Sequence, residues 1–247
     1  MLFAELLAKV RIVLVNPSDP GNIGASARAM KTMGLKHLYL VTTKAFPCRR
    51  ASVRASNALD VLAEAVVVNS LEEALWDCTL VFGTSTRIRE LNWVSLTPRA
   101  AAAKITEVLP QKVAIVFGRE RCGLTNQELQ RCHFQIHIPA NKNYNSLNLG
   151  AAVQIVCYEL RMAFLEQKET DKKTALVKQR KLASVEQLEH FYKHLQSTLM
   201  HVAFLQNSRS LQIMDRLRRL FSRIELDEKE LKILRGILSA IQKKIPN

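Results

Sequence analysis

Several large protein classes are made improbable by what the sequence lacks. No run among its 247 residues is apolar for long enough to span a membrane, and the apolar start MLFAELLAKVRIVLV lacks the basic lead and small-residue cleavage site of a signal peptide. The five cysteines are odd in number and form no C-x-x-C pair. This usage is typical of reduced thiols in a cytoplasm rather than of disulfides or a zinc site. We therefore expect a cytoplasmic protein that holds no metal.

Familiar catalytic motifs are also missing. The sequence has no G-x-S-x-G of a serine hydrolase, no H-E-x-x-H among its six histidines and no G-x-G-x-x-G of a dinucleotide-binding turn. His190 and His194 have metal-ligand spacing on a helix, but no acidic or cysteine partner is implied, and surface histidines are the preferred interpretation. A dinucleotide-dependent oxidoreductase stays a distant alternative.

Positive charge is what the chain has in excess. Its 36 lysines and arginines outnumber 22 acidic residues and give a net charge of +14, of which residues 1–164 and residues 165–247 each carry +7. Such a charge attracts nucleic acid or an anionic membrane surface. Few Trp or Phe lie on the basic stretches, where a membrane-surface helix would need them, so nucleic acid is favoured. A basic protein without a polyanionic partner is the remaining alternative.

Strands and helices alternate along the first two thirds of the chain. Apolar, β-branched runs predict strands at residues 11–15, 37–41, 66–68, 79–83, 113–118 and 134–139, with helical stretches such as SLEEALWD and PRAAAAKITEVL between them. This alternation predicts an α/β fold with a mostly parallel sheet covered on both faces.

The pattern changes after a helix that is expected to end near Leu165. Residues 166–184 are charged without an apolar period and are interpreted as a linker. Two apolar helical stripes follow, and Asp227 with Glu230 forms a capping pair before LKILRGILSAI. We therefore predict an α/β domain at 1–165, a linker at 166–184 and a helical extension at 185–247.

Three stretches combine polar groups with a strand end and a helix start, where ligands bind in α/β sheets. The first contains GNIGASARAMKTMG, in which Arg28 is expected one turn into the helix. The second is VFGRERCGLTNQEL, where Glu120 should stay ionised between two arginines and Thr125 with Glu128 should cap a helix. The third, NKNYNSLNLG, predicts a helix cap at Asn145 or Ser146. The alternatives are a solvated helix arginine for the first stretch, a charged turn for the second and a simple helix cap for the third.

Taken in order, GNIGASARAMKTMG, VFGRERCGLTNQEL and IPANKNYNSLNLGAAVQIVCYEL resemble the three motifs of the SpoU branch of the SPOUT RNA 2′-O-methyltransferases. RLRRLFSR and ELKILRGIL are similar to the C-terminal extension of bacterial members that act on tRNA, so the resemblance covers almost the whole chain. It implies a deep trefoil knot in the C-terminal part of the α/β domain, a homodimer and S-adenosylmethionine as methyl donor. The implied reaction is 2′-O-methylation of the pyrimidine at anticodon-loop position 32 of tRNA. Another tRNA position, a ribosomal RNA and a non-catalytic RNA-binding protein are the alternatives.

The resemblance also implies residue roles. The catalytic residues would be Arg28, Glu120, Ser146 and Asn148. The donor-binding residues would be Thr84, Ser85, Thr86, Gly118, Ile138, Ser146, Leu147 and Asn148. The RNA-binding residues would be Arg28, Arg216, Arg218, Arg219 and Arg223, with a solvated helix face as the alternative for the last four. Because a guanidinium does not lose its proton in proteins, Arg28 is expected to bind phosphate and to support the ribose electrostatically, from the other subunit. The Met-x-Gly step of many members is absent here, which leaves Asn141 and Asn143 without a role.

Overall fold

The computed structural model describes residues 3–43, 46–86, 94–170, 181–206 and 210–244. Over these ranges, no helix combines the length and the apolar character that crossing a membrane requires. The chain forms a seven-stranded sheet followed by three helices near the C-terminus.

All pairs of neighbouring strands in the sheet are parallel, in the order β3-β2-β1-β6-β4-β7-β5. The strands are β1 Val10–Val15, β2 His37–Val41, β3 Val66–Val68, β4 Leu80–Thr84, β5 Ser95–Leu96, β6 Val113–Phe117 and β7 Phe134–Ile136. The predicted α/β fold is confirmed. The sequence pattern missed β5, since two residues show no period, and placed the end of β7 three residues too late. The knot that the resemblance implies stays a prediction.

The sheet lies between two apolar layers. Strands β1 and β6 are buried at every position because they lie at the centre of the sheet and are covered on both sides. Alternate residues point to opposite layers. Ile12 and Ile115 belong to one core cluster, and Val13 and Val116 belong to the other.

The α/β part contains eight helices in the described ranges. They are α1 Phe3–Leu7, α2 Pro20–Met33, α3 Arg49–Ala55, α4 Leu59–Ala63, α5 Leu71–Leu75, α6 Pro98–Val108, α7 Asn126–Leu129 and α8 Leu149–Thr170. The short helices α3 and α4 were not predicted. Helix α8 continues five residues past the expected end at Leu165, so the first part of the predicted linker is helical.

Three helices form the C-terminal part: α9 Val185–His201, α10 Ser210–Arg223 and α11 Glu228–Lys244. They surround their own apolar cluster, centred on Phe191 and Tyr192. The predicted capping pair before α11 is confirmed: Asp227 N donates to Glu230 Oε2 at 2.9 Å, and Glu230 N donates to Asp227 Oδ1 at 2.8 Å.

The C-terminal helices contact the sheet domain. Val185 N donates to Cys78 O at 2.8 Å, and Lys104 pairs with Glu225 at 2.6 Å. Residues 171–180 of the predicted linker lie outside the described residues, and at its far end Leu182 N donates to Gln111 Oε1 at 2.9 Å. The division into two domains stays a prediction.

Candidate active site

Two openings are lined by residues of the three predicted motifs. The first is a cleft of about 340 Å³ between the loops that follow β4, β6 and β7. The second is a more open pocket of about 550 Å³ between α2, α3 and the start of α8. The residues between them come from all three predicted motifs.

The wall of the cleft after β6 depends on a tight turn. A Cβ on Gly118 would lie 2.2 Å from the carbonyl carbon of Gly123 and 2.3 Å from the nitrogen of Leu124, so only glycine lets the loop fold back this closely. Gly123 has φ +67°, and its N–H donates to Arg119 O at 2.9 Å. The predicted Thr125–Glu128 capping box then starts α7.

Glu120 is held by four donors from the first motif. Ser18 donates to Oε2 from its backbone nitrogen at 3.1 Å and from Oγ at 2.9 Å. Asp19 N donates to Oε1 at 3.3 Å, and Asn22 Nδ2 donates to the same oxygen at 3.0 Å. Burial raises the pKa of Glu120, but the hydrogen bonds from Asn22 and from backbone N–H groups outweigh it and lower this pKa to about 2.

The predicted cause of Glu120 ionisation was wrong. The expectation relied on the flanking arginines, but Arg119 makes a double hydrogen bond to Glu128, with both N–O distances at 3.0 Å. Arg121 is exposed. Glu120 is ionised because it accepts hydrogen bonds from Ser18, Asp19 and Asn22.

Asn22 joins the second motif to the third. Its Oδ1 accepts from Asn148 Nδ2 at 2.8 Å, while its own Nδ2 donates to Glu120. Asn148 Oδ1 in turn accepts from Gly150 N at 2.9 Å, which makes Asn148 the cap of α8. The prediction of a cap at Asn145 or Ser146 was therefore wrong, because α8 begins only at Leu149. The hydrogen-bonded series of Glu120, Asn22 and Asn148, which contains two side-chain amides, is hereafter called the amide chain.

The predicted site residues divide between the two openings. The cleft is lined by Thr84, Ser85, Thr86, Gly118, Glu120, Ile138, Ser146 and Leu147, among others. Arg28 and Asn148 line the second pocket instead. Arg28 is exposed and lies eight residues after the first residue of α2, so it is more than two turns into the helix rather than one.

The asparagines before Ser146 form a turn of their own. Asn141 Oδ1 accepts from Asn143 N at 2.9 Å, and Asn141 O accepts from Tyr144 N at 3.0 Å. This geometry gives Asn141 a structural role that the sequence did not suggest.

The four tail arginines all lie on α10 but differ in surroundings. Arg218 makes a double ion pair with Glu189 and lies over the ring of Tyr192, 4.4 Å from its centroid. Arg219 Nε donates to Asp215 O at 3.3 Å. Arg216 and Arg223 are exposed, and neither forms an ion pair with any residue that the structure describes.

Asn22 is a residue of the amide chain that the sequence analysis missed. A signal was available, since it stands in GNIG at a helix start, but its long-range partners are not visible in a single sequence. His190, one of the two candidate metal ligands, stacks edge-on against Trp76, and His194 contacts Gln242 at 3.1 Å. Nowhere in the described ranges do three or more His, Cys, Asp or Glu side chains gather as a metal site would require.

Comparison with known proteins identifies the family. The model of the SpoU rRNA Methylase family matches residues 9–158, and the model of the tRNA methyltransferase TrmJ C-terminal domain matches residues 186–247. The chain is similar to the tRNA (cytidine/uridine-2′-O-)-methyltransferase TrmJ of Yersinia pestis (strain Pestoides F). The two are 46% identical over 240 residues, which is 97% of this chain and 93% of the relative.

Solved structures of similar proteins agree with this family match. TrmJ from Z. mobilis ZM4 superimposes with a TM-score of 0.81 at 33% identity, covering 94% of this chain and 98% of that one. An AdoMet-bound rRNA methyltransferase from Sinorhizobium meliloti shares the fold, with a TM-score of 0.51 at 23% identity over 62% of this chain and 56% of that one. The family thus has AdoMet-bound structural neighbours. With three ordered motifs at the strand ends, a family model matching residues 9–158 and near full-length relatives, the chain belongs to the SpoU methylase family.

Proposed function

We propose that this protein transfers a methyl group from S-adenosylmethionine to the ribose 2′-oxygen of a pyrimidine at anticodon-loop position 32 of tRNA. The observation that carries the proposal is the amide chain, which connects the cleft to the pocket of Arg28 through residues of all three motifs. The names of relatives such as the Yersinia pestis enzyme support tRNA as the substrate.

The cleft suits a donor of this kind. Its three wall loops follow parallel strands, which is where nucleotide-like ligands bind in α/β sheets. Small hydroxyl side chains and backbone groups line one part, and Ile136, Ile138 and Leu149 line another. When bound, S-adenosylmethionine supplies an electrophilic methyl group on a sulfonium. The donor-binding residues named from the sequence would hold it, apart from Asn148, which faces the second pocket.

The protein contributes to the reaction by positioning the reacting groups and by supplying charge. The ribose hydroxyl must be aligned with the methyl group and must lose its proton as it attacks. With a pKa near 2, Glu120 is too weak a base to take that proton. We assign it to holding Asn22, which in turn holds Asn148 at the edge between the two openings. Arg28 would contribute positive charge beside the ribose, and a water or an RNA phosphate would accept the proton.

The proposal extends to the oligomeric state of the protein and to its location in the cell. Arg28 lies outside the cleft of its own chain, so a homodimer in which each Arg28 serves the partner's cleft would complete the site. Exposed apolar side chains near the second pocket, such as Val53 and Tyr158, are suited to an interface. The cytoplasm, where tRNA is modified, is the proposed location, in agreement with five free cysteines in the structure.

Radiolabelled donor, unmodified tRNA and the purified protein test the proposal. We expect label on the ribose of pyrimidine 32, mapped by nuclease digestion and mass spectrometry. Label on another tRNA nucleotide would correct the position. Ribosomal RNA should be assayed in parallel, because the description of the matched family names rRNA. No ribose methylation of either RNA would overturn the proposal.

A further inference from the structure

The second pocket contains an arginine that no motif predicted. Arg54, the sixth residue of α3, lines this pocket together with Arg28 of α2. Among the residues that the structure describes, no carboxylate lines the pocket, and its other polar side chains belong to Thr32, Asn148 and Gln154. Two positively charged side chains thus belong to the lining of one open pocket.

Neither arginine is neutralised elsewhere in the described parts of the chain. Both are exposed, and the ion pairs of this region join other residues: Lys31 pairs with Asp60 at 2.8 Å, and Arg50 pairs with Asp19 at 3.3 Å. Like charges brought to one pocket repel each other unless an anion lies between them. The arrangement therefore favours a bound anion with several acceptor oxygens, as a phosphate has.

Two glycines of the first motif place Arg54 at this pocket. A Cβ on Gly24 would lie 2.1 Å from Ala51 O and 2.9 Å from Arg54 Cβ, and one on Gly21 would lie 3.6 Å from Arg54 Cγ. Helix α3 can therefore pack directly on the backbone of α2, and the aliphatic stem of Arg54 crosses this glycine surface. The stem is held by packing while the guanidinium stays exposed.

We propose that Arg54 binds a backbone phosphate of the RNA, next to the nucleotide whose ribose is methylated, and that Arg28 and Arg54 together form this phosphate site. The inference rests on the proposed function, which supplies the RNA. Within this site Arg54 serves only the phosphate, whereas Arg28 contacts the phosphate and also supports the reacting ribose electrostatically.

Helix α3 offers a matched control for the test. Arg49 is exposed, lies on the same helix and does not line the pocket. The variants are Arg54→Ala, Arg54→Gln, which keeps the part of the stem that lies on the glycines, and Arg49→Ala. Binding of unmodified tRNA is measured by filter retention at several salt concentrations, and methyl transfer is measured on the same samples.

We expect both Arg54 variants to weaken tRNA binding about tenfold, the size of one charge-assisted contact. The slope of log affinity against log salt should become shallower by about 0.7, as for one single-stranded phosphate. Arg49→Ala should change affinity less than about twofold, as an exposed charge outside a site does. Wild-type affinity and slope in Arg54→Gln, or equal effects of the Arg49 and Arg54 variants, would overturn the phosphate site.

The two proposals fail separately. If wild-type protein methylates tRNA but the Arg54 variants bind it normally, the phosphate site is wrong and the function stands. If binding depends on Arg54 but no RNA is methylated by the wild-type protein, the function is wrong and the phosphate site stands.

Discussion

Asn148 and Asn22 are hydrogen-bonded side chain to side chain at 2.8 Å, although 126 residues separate them in the chain. The bond connects the start of α8 to the first turn of α2. Since Asn22 also donates to Glu120, one buried amide holds both other motifs in place. The geometry of the site therefore depends on a residue that contacts neither opening.

Replacing Asn22 should disturb the site without removing any residue that lines it. Asn22→Ala leaves Glu120 without one donor and Asn148 Nδ2 without its acceptor, and an unsatisfied group of this kind costs about 1–3 kcal/mol. We expect kcat to fall about tenfold or more, because this cost misaligns the reacting groups. Kinetics at saturating donor and tRNA measure it, with Asn57→Ala, an exposed asparagine, as control. A normal kcat would show that the amide chain is only structural.

Arg28→Ala should separate catalysis from donor binding. Arg28 lines the second pocket rather than the cleft of its own chain, and in the proposed homodimer it faces the RNA rather than the donor. Calorimetry with S-adenosylmethionine should therefore give a dissociation constant within about twofold of wild type, as expected for a residue that makes no donor contact. Methyl transfer should be lost. Arg28→Lys keeps the charge without the planar fork and should recover only part of the activity. A large loss of donor affinity would place Arg28 at the donor instead.

Two glycines predict opposite outcomes for the same substitution. Gly118→Ala has no room for its methyl group, so the cleft loop must move and donor affinity should fall about tenfold, or about 1.4 kcal/mol. Gly236→Ala meets no atom within 4 Å in the middle of α11 and should raise the free energy of unfolding by up to about 1 kcal/mol. Calorimetry and urea denaturation measure the two effects. Unchanged donor affinity in Gly118→Ala would argue against the donor site in this cleft.

Buried His133 predicts a loss of stability in mild acid. Burial lowers its pKa from 6.5 to about 4. In addition, Nδ1 accepts a hydrogen bond from Val81 N, which requires that this nitrogen carry no proton. Between pH 6.5 and pH 4, His133 is therefore protonated in the unfolded chain but neutral in the folded protein. The resulting stability is complete above pH 6.5 and is lost as the pH falls towards 4, by about 2 kcal/mol between pH 7 and pH 5.

Urea denaturation of wild type and His133→Asn at pH 7 and pH 5 measures this loss. The asparagine oxygen can replace Nδ1 as acceptor but does not titrate, so the variant should lose about 2 kcal/mol less than wild type over this range. Equal pH dependence in both proteins would contradict the assignment to His133.

The tail arginines should fall into two groups. Arg216 and Arg223 are exposed, so replacing both with alanine should weaken tRNA binding and make its salt dependence shallower by about 1.4, for two single-stranded phosphates. Arg218→Ala should instead lower the thermal midpoint, because it removes the partner of Glu189 and the cation over Tyr192. Filter binding and thermal melts separate these effects. A normal melting curve for Arg218→Ala would return it to the RNA-binding group.

Local patterns predicted most of the fold. Strands β2 and β3 were predicted residue for residue, and the capping pairs at Thr125 and Asp227 were read from spacings of three residues. Strand β5 and helices α3 and α4 are too short to show a period, so they were missed. Arg54 was missed with them, since its position depends on the packing of α3 against Gly24.

The sequence predicted the site residues that belong to consecutive motifs. It did not predict the hydrogen bonds between side chains that are far apart in the chain. The resemblance named eight residues that line the cleft together. It did not show that Asn148 faces the other opening, nor that Glu120 is held by Asn22 rather than by its neighbouring arginines. Such hydrogen bonds join side chains about a hundred residues apart, and no local spacing records them.

The amide chain has a direction. Asn22 presents its nitrogen to Glu120 and its oxygen to Asn148, and Asn148 presents its own nitrogen to Asn22 and its oxygen to Gly150. Each link therefore needs a donor on one side and an acceptor on the other. An aspartate at position 22 could accept from Asn148 but could not donate to Glu120, so it would set two carboxylates against each other. A substitution that exchanges a donor for an acceptor in one motif would therefore break a hydrogen bond of the amide chain, unless a matching substitution occurred in the motif it contacts.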